Sequence, residues 1–186
     1  MLYRYHMENI LDSKILIAAQ KGDLKAFNAI VNFYQTAIYN HLYRLTGNKD
    51  DAADLAQDAF VKLYKTRERI RPDDNFRSYL YKIATNTAYD WLKKKKRHPE
   101  DLIIDNEDQS FETIEAEQSY YKVEDLDLIG LDMAMAKIKP IYRSVLLLYY
   151  QQGFTYEEIS GITGQPLNTV KINLHRAKKE LLKHIE

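Results

Sequence analysis

Apolar residues recur at intervals of three and four along most of the chain, and that spacing suits helices that share a core. Between Leu16 and Tyr43 the positions Leu24, Phe27, Ile30, Val31, Tyr34, Ile38 and Leu42 form one such stripe. Beyond Gly47, Asn48 and Lys49, the stretch DDAADLAQDAFVKLYK puts Ala52, Leu55, Ala56, Ala59, Phe60 and Leu63 on one side of a second helix. A third, roughly Phe76 to Lys94, turns Leu80, Ile83, Ala84, Thr87, Ala88 and Trp91 inward. No alternating strand pattern lasts more than a few residues, so the expected fold class is all-α.

The last third of the chain carries stronger punctuation. Ile141 to Tyr150 reads as an apolar helix that stops near Gly153, and Thr155 with Glu158 fits a capping box opening the next one. Ile159 and Ile162 point inward, Gly164 supplies a turn, and Pro166 suits the first position of a following helix whose buried stripe is Val170, Leu174, Ala177 and Leu181. Two helices joined by so short a glycine turn predict a helix-turn-helix.

The formal net charge is zero, yet the charges are segregated. Lys14 to His98 holds 17 basic and 9 acidic residues, and Leu128 to Glu186 holds 8 and 5. Between them, Pro99 to Asp127 has 11 acidic residues against the single Lys122. This strip has no sustained helical face and reads as an acidic linker, either a plain solvated connector or a segment that mimics or avoids nucleic acid. The organisation expected is therefore two small helical domains, 1–98 and 128–186, joined by the linker 99–127.

Several chemistries are excluded or unsupported. With no cysteine there is no disulfide, thiolate metal site or cysteine nucleophile, and the five histidines show no metal-ligand spacing. No nucleophile–base pair or phosphate-cradling glycine loop is visible, so neither an enzyme nor a cofactor or metal is expected. The apolar runs are too short to span a membrane and the first residues lack an apolar signal core, which predicts a soluble, cytoplasmic protein.

The outward faces carry the candidate chemistry. Opposite the stripe of the second helix stand Asp54, Gln57, Asp58, Val61 and Lys65, where an apolar knob ringed by hydrogen-bonding groups fits either a docking surface or an ordinary solvated face. Opposite the stripe of the third stand Lys82, Asn86, Tyr89 and Lys93, with Arg77 and the run Lys94 to Arg97 extending the charge. Lysine neutralises phosphate, asparagine bonds a base edge and tyrosine stacks on an unpaired base, although a basic face can also be merely solvated. The last helix presents Asn168, Lys171, Ile172, His175, Arg176 and Lys179, a mixture suited to a major groove, while the same helical packing can serve protein contacts.

Three stretches, DDAADLAQDAFVKLYK, FRSYLYKIATNTAYDWLKKKKR and YRSVLLLYYQQGFTYEEISGITGQPLNTVKINLHRAKKELL, resemble in type and order the motifs of the extracytoplasmic-function (ECF) sigma factors of the sigma-70 type. The resemblance implies a subunit that binds core RNA polymerase and directs promoter-specific initiation. It assigns Asp54, Gln57, Asp58 and Val61 to the clamp helices of the largest polymerase subunit. Arg71 to Asn75, Lys82, Asn86, Tyr89 and Lys93 fall to the minus-ten element. Asn168, Thr169, Lys171, Ile172, His175, Arg176 and Lys179 fall to the minus-thirty-five element. Further partners implied are the polymerase flap, promoter DNA and an anti-sigma factor. One departure stands out: after Thr169-Val170-Lys171 the family usually has Ser-Arg, and this chain has Ile172-Asn173, one phosphate-capable cation fewer. An autonomous operator-binding regulator would use the same helix-turn-helix, but leaves the stripe from Asp54 to Lys65 without a purpose.

Overall fold

The structure is a computed structural model that describes residues 11–72, 75–95 and 134–184; the acidic strip 99–127 lies outside them. All regular structure among the described residues is helical, as the apolar spacing predicts.

Four helices build the first half. The stripe from Leu16 to Tyr43 is divided between α1 (Ser13–Gln20) and α2 (Leu24–Thr46). The break is local: Gly22 adopts φ 93°, and the Asp23 carboxylate accepts from the N–H groups of Lys25 and Ala26, so a new helix starts there. Leu24 corrects the expected core stripe. At the first position of α2 it is 62% exposed, whereas Phe27, Ile30, Tyr34, Ile38 and Leu42 are buried.

Gly47, left-handed at φ 72°, ends α2, and Asn48 caps α3 (Lys49–Lys65) by accepting from the N–H groups of Asp50 and Asp51. Those two acids in the first turn also favour the helix dipole. A 3-10 turn, Arg67–Arg69, and the buried Ile70 follow, pinned to α1 where the Gln20 amide donates to the Ile70 carbonyl at 2.9 Å. The chain then enters α4 (Phe76–Lys95).

The second half holds a helical turn at 134–137, α5 (Pro140–Leu146), α6 (Tyr156–Thr163) and α7 (Leu167–Leu182). The helix expected from Ile141 to Tyr150 changes pitch: α5 gives way to a π-helical turn, Leu147–Gln151, that carries Gln152 into the interior. The capping box forms as expected, Thr155 Oγ1 accepting from the Glu158 N–H and the Glu158 carboxylate from the Thr155 N–H at 2.8 Å. Gly164 closes α6 at φ 72°. Pro166 sits one residue earlier than expected, as the cap preceding α7 with ψ 145°, so the helix proper begins at Leu167.

Helix α4 joins the two halves. It packs on α2 and α3 and also on α6, so residues outside the expected inward stripe are buried, among them Tyr81, Thr85 and Leu92. Tyr81 meets Phe154 edge-on with ring centroids 5.1 Å apart, a geometry that contributes about 0.5–1.5 kcal/mol beyond the area buried. Polar contacts reinforce this seam. The Tyr81 hydroxyl donates to Gln152 Oε1 at 2.5 Å, and Arg77 donates to the Gln152 carbonyl at 2.5 Å with its guanidinium 4.1 Å from the Phe154 ring centroid. Arg143 is buried and donates to the carbonyls of Leu45 (2.9 Å), Ala136 (2.8 Å) and Ile138 (3.1 Å). Leu45 lies in the last turn of α2, so this cation meets the negative end of that helix's dipole.

Candidate nucleic-acid interface

Three surfaces carry the residues singled out from the sequence. On α3, Asp54, Gln57, Asp58 and Val61 are all exposed, and Val61 keeps 49% of its surface in solvent. The opposite side of the same helix buries Ala52, Leu55, Ala56, Ala59, Phe60 and Leu63. The core thus holds α3 rigid and leaves an apolar knob among acceptors, the arrangement the spacing predicts. Lys65 is exposed at the end of that stripe.

On α4, Lys82, Asn86 and Lys93 are exposed, and Arg71 and Asn75 are exposed just ahead of the helix. Asp73 and Asp74 of the same loop, and Lys96 and Arg97 beyond the helix, lie outside the described residues. Tyr89 differs from its neighbours. It is half-buried, and its hydroxyl shares a hydrogen bond with Ser144 of α5. Burial pushes the Tyr89 hydroxyl well above the usual tyrosine range and the Tyr81 hydroxyl up to about 12, so both remain protonated and able to donate. Trp91, expected inward, is half-buried, and the Lys95 ammonium stands 4.3 Å from its ring centroid.

On α7, Asn168, Lys171, His175, Arg176 and Lys179 are exposed, while Thr169 and Ile172 are half-buried. Val170, Leu174 and Ala177 hold the opposite side in the core. The Lys171 ammonium lies 5.9 Å from the Tyr156 ring centroid and the Lys178 ammonium 5.2 Å from that of Tyr150, which links the basic face to an aromatic surface on its flank.

Asn173 goes against the surface reading of the Ile172-Asn173 departure. It is 7% exposed and donates from Nδ2 to Gln165 Oε1 at 2.7 Å, so it faces the turn and not solvent. Its spacing carried that signal: it lies three residues after Val170 and four before Ala177, inside the buried arc. The polar residues that join the two halves, Arg77, Ser144 and Gln152 at α4 and Arg143 at the end of α2, leave no such mark in the periodicity. Among the described residues no cluster of His, Cys, Asp and Glu could hold a metal, and no helix is long and apolar enough to cross a membrane.

Residues 30–98 match the family model of sigma-70 region 2, which covers most of α2 with α3 and α4, and residues 128–181 match that of sigma-70 region 4. Among characterised relatives, the chain is 31% identical to the ECF RNA polymerase sigma factor SigW of Bacillus subtilis, over 96% of this chain and 98% of that protein. It is 30% identical to the ECF sigma-E factor of Escherichia coli, over 94% of each. Its fold is similar to that of the sigma factor RpoE of Bartonella quintana, solved in complex with the anti-sigma factor NepR, with a TM-score of 0.65 over 87% of this chain and 97% of that one at 24% identity. CnrH in complex with the cytosolic domain of CnrY gives a TM-score of 0.66 over 92% and 95% at 20% identity. The chain belongs to the extracytoplasmic-function family of sigma-70-type RNA polymerase sigma factors, which support promoter-directed transcription initiation.

Proposed function

We propose that this sigma factor divides its work among the three surfaces described above. The α3 stripe of Asp54, Gln57, Asp58 and Val61 docks on the clamp helices of the largest polymerase subunit. The α4 face, with Arg71, Asn75, Lys82, Asn86, Tyr89 and Lys93, takes the minus-ten strand. The α7 face of Asn168, Thr169, Lys171, Ile172, His175, Arg176 and Lys179 enters the major groove at minus-thirty-five. The domains are 1–98 and 128–186, and the strip 99–127 connects them as the polymerase spans the two elements. The protein works in the cytoplasm with no catalytic step of its own, contacts the polymerase flap through its second domain, and is held in check by an anti-sigma factor.

The observation that carries this reading is the exposure of two separate base-capable faces, α4 and α7, each backed by a buried stripe. A single operator-binding domain needs only one. The Tyr89–Ser144 contact adds a condition: the second half must leave α4 before the Tyr89 ring can stack on a base. Promoter-opening assays with core polymerase test the division of labour. Asn86→Ala is expected to slow strand opening about tenfold while core affinity holds, on the scale of one lost base contact. Equal loss of both would refute the assignment.

A further inference from the structure

The turn of the helix-turn-helix is tied from both sides through one residue. Gln165 is buried, its carbonyl accepts from Ser160 Oγ of α6 at 2.6 Å, and its side-chain Oε1 accepts from Asn173 Nδ2 of α7 at 2.7 Å. Asn173 lies one position from Ile172 and two from Lys171 and His175, on the buried side of the helix whose exposed side carries the residues proposed above for the minus-thirty-five element. A rotation or slide of α7 against α6 would break this bond, because a hydrogen bond is directional where apolar contacts are not.

The pair is a poor device for stability alone. Gln165 Nε2 is buried and has no hydrogen-bond partner among the described residues, a penalty that an apolar side chain of similar shape would avoid. What a buried polar bond adds over apolar packing is a single register.

We propose that the buried Gln165–Asn173 amide pair is a positioning device: it sets the rotation and depth of α7, and thereby which bases of the upstream promoter element the α7 side chains reach. The proposal rests on the minus-thirty-five reading of α7 given above.

The experiment is transcription by core polymerase with the full chain on promoters substituted singly through the upstream element. Asn173→Ala and Gln165→Ala are each expected to change the preferred base by about fivefold at the same positions, the scale of a displaced base contact. The double variant should do no more than either single one, because both remove the same bond. The exchange Gln165→Asn with Asn173→Gln, which keeps an amide pair, should recover part of the wild-type preference. Ile159→Ala, which loosens the same helix pair without touching either amide, should lower output on all promoters alike. A uniform loss in the amide variants, or additive effects, would overturn the proposal even if the variants are destabilised. If the wild-type protein shows no preference within the upstream element, the minus-thirty-five reading fails and this inference falls with it; if it shows one that the amide variants leave unchanged, the inference alone fails.

Discussion

The hydroxyls of Tyr89 and Ser144, 55 residues apart in sequence, are hydrogen-bonded to each other where α4 meets α5. Tyr89 lies in the segment matched to sigma region 2 and Ser144 in that matched to region 4. The aromatic ring best suited to stack on an unpaired base is therefore engaged by the other half of the chain. The contact continues the polar seam that Arg77 and Tyr81 make with Gln152, and among the residues assigned to single-stranded DNA it engages Tyr89.

Loosening that seam should favour single-strand binding by the free chain. A neutral hydrogen bond contributes about 1 kcal/mol, so Ser144→Ala should raise affinity for a minus-ten oligonucleotide by about fivefold. Tyr89→Phe breaks the same bond and keeps a ring to stack, so it should behave likewise. Fluorescence anisotropy measures both, and unchanged affinity in both would show that the seam does not limit access.

The α3 stripe can be tested apart from folding. Gln57→Ala with Asp58→Ala removes two exposed side chains, and exposed substitutions usually change stability by no more than about 0.5 kcal/mol. Affinity for core polymerase should fall about tenfold or more if these residues meet a buried partner surface. Pull-down titration alongside thermal melts gives both quantities.

Phosphate contacts by α7 should appear in the salt dependence of duplex binding. Each of Lys171→Ala and Arg176→Ala should reduce the slope of log affinity against log salt by about 0.9, the value for one neutralised phosphate on B-form DNA. A slope that neither substitution changes would place both side chains off the backbone.

Stability should decline on mild acidification because of His41. The ring is fully buried, its Nε2 is paired with Thr85 Oγ1 at 3.1 Å, and burial lowers its pKa from 6.5 to about 3. A depressed folded-state pKa means that the unfolded chain binds the proton more readily. The stabilisation is complete above pH 6.5 and is lost as pH falls toward 3, approaching about 1.4 kcal/mol per pH unit. Denaturant titrations between pH 6.5 and 5, above the main carboxylate range, should show this slope in the wild type and lose it in His41→Phe.

Helices whose outer face met only solvent were legible from spacing. The α3 stripe from Ala52 to Leu63 and the Thr155–Glu158 cap appear where the periodicity and the capping residues put them. Leu24 fits the stripe by spacing yet stays exposed, because it stands in the first turn of a helix that begins only after Gly22 and Asp23. A helix packed on two sides, as α4 is, covers an arc too wide for one stripe: Tyr81 and Thr85 are buried and Tyr89 half-buried, with polar groups that a hydrophobic pattern does not register. The π turn that carries Gln152 inward likewise shifts register within an unbroken apolar run. Asn173 was readable in principle, since its position in the heptad-like pattern is internal even though its chemistry suggests a surface.

The most direct test is run-off transcription by purified core polymerase on a template with paired minus-ten and minus-thirty-five elements, with and without the chain. A promoter-specific transcript that requires the chain, and that weakens separately on Asn86→Ala and Lys171→Ala, is the predicted result. Duplex binding without core association or promoter-dependent product would contradict it.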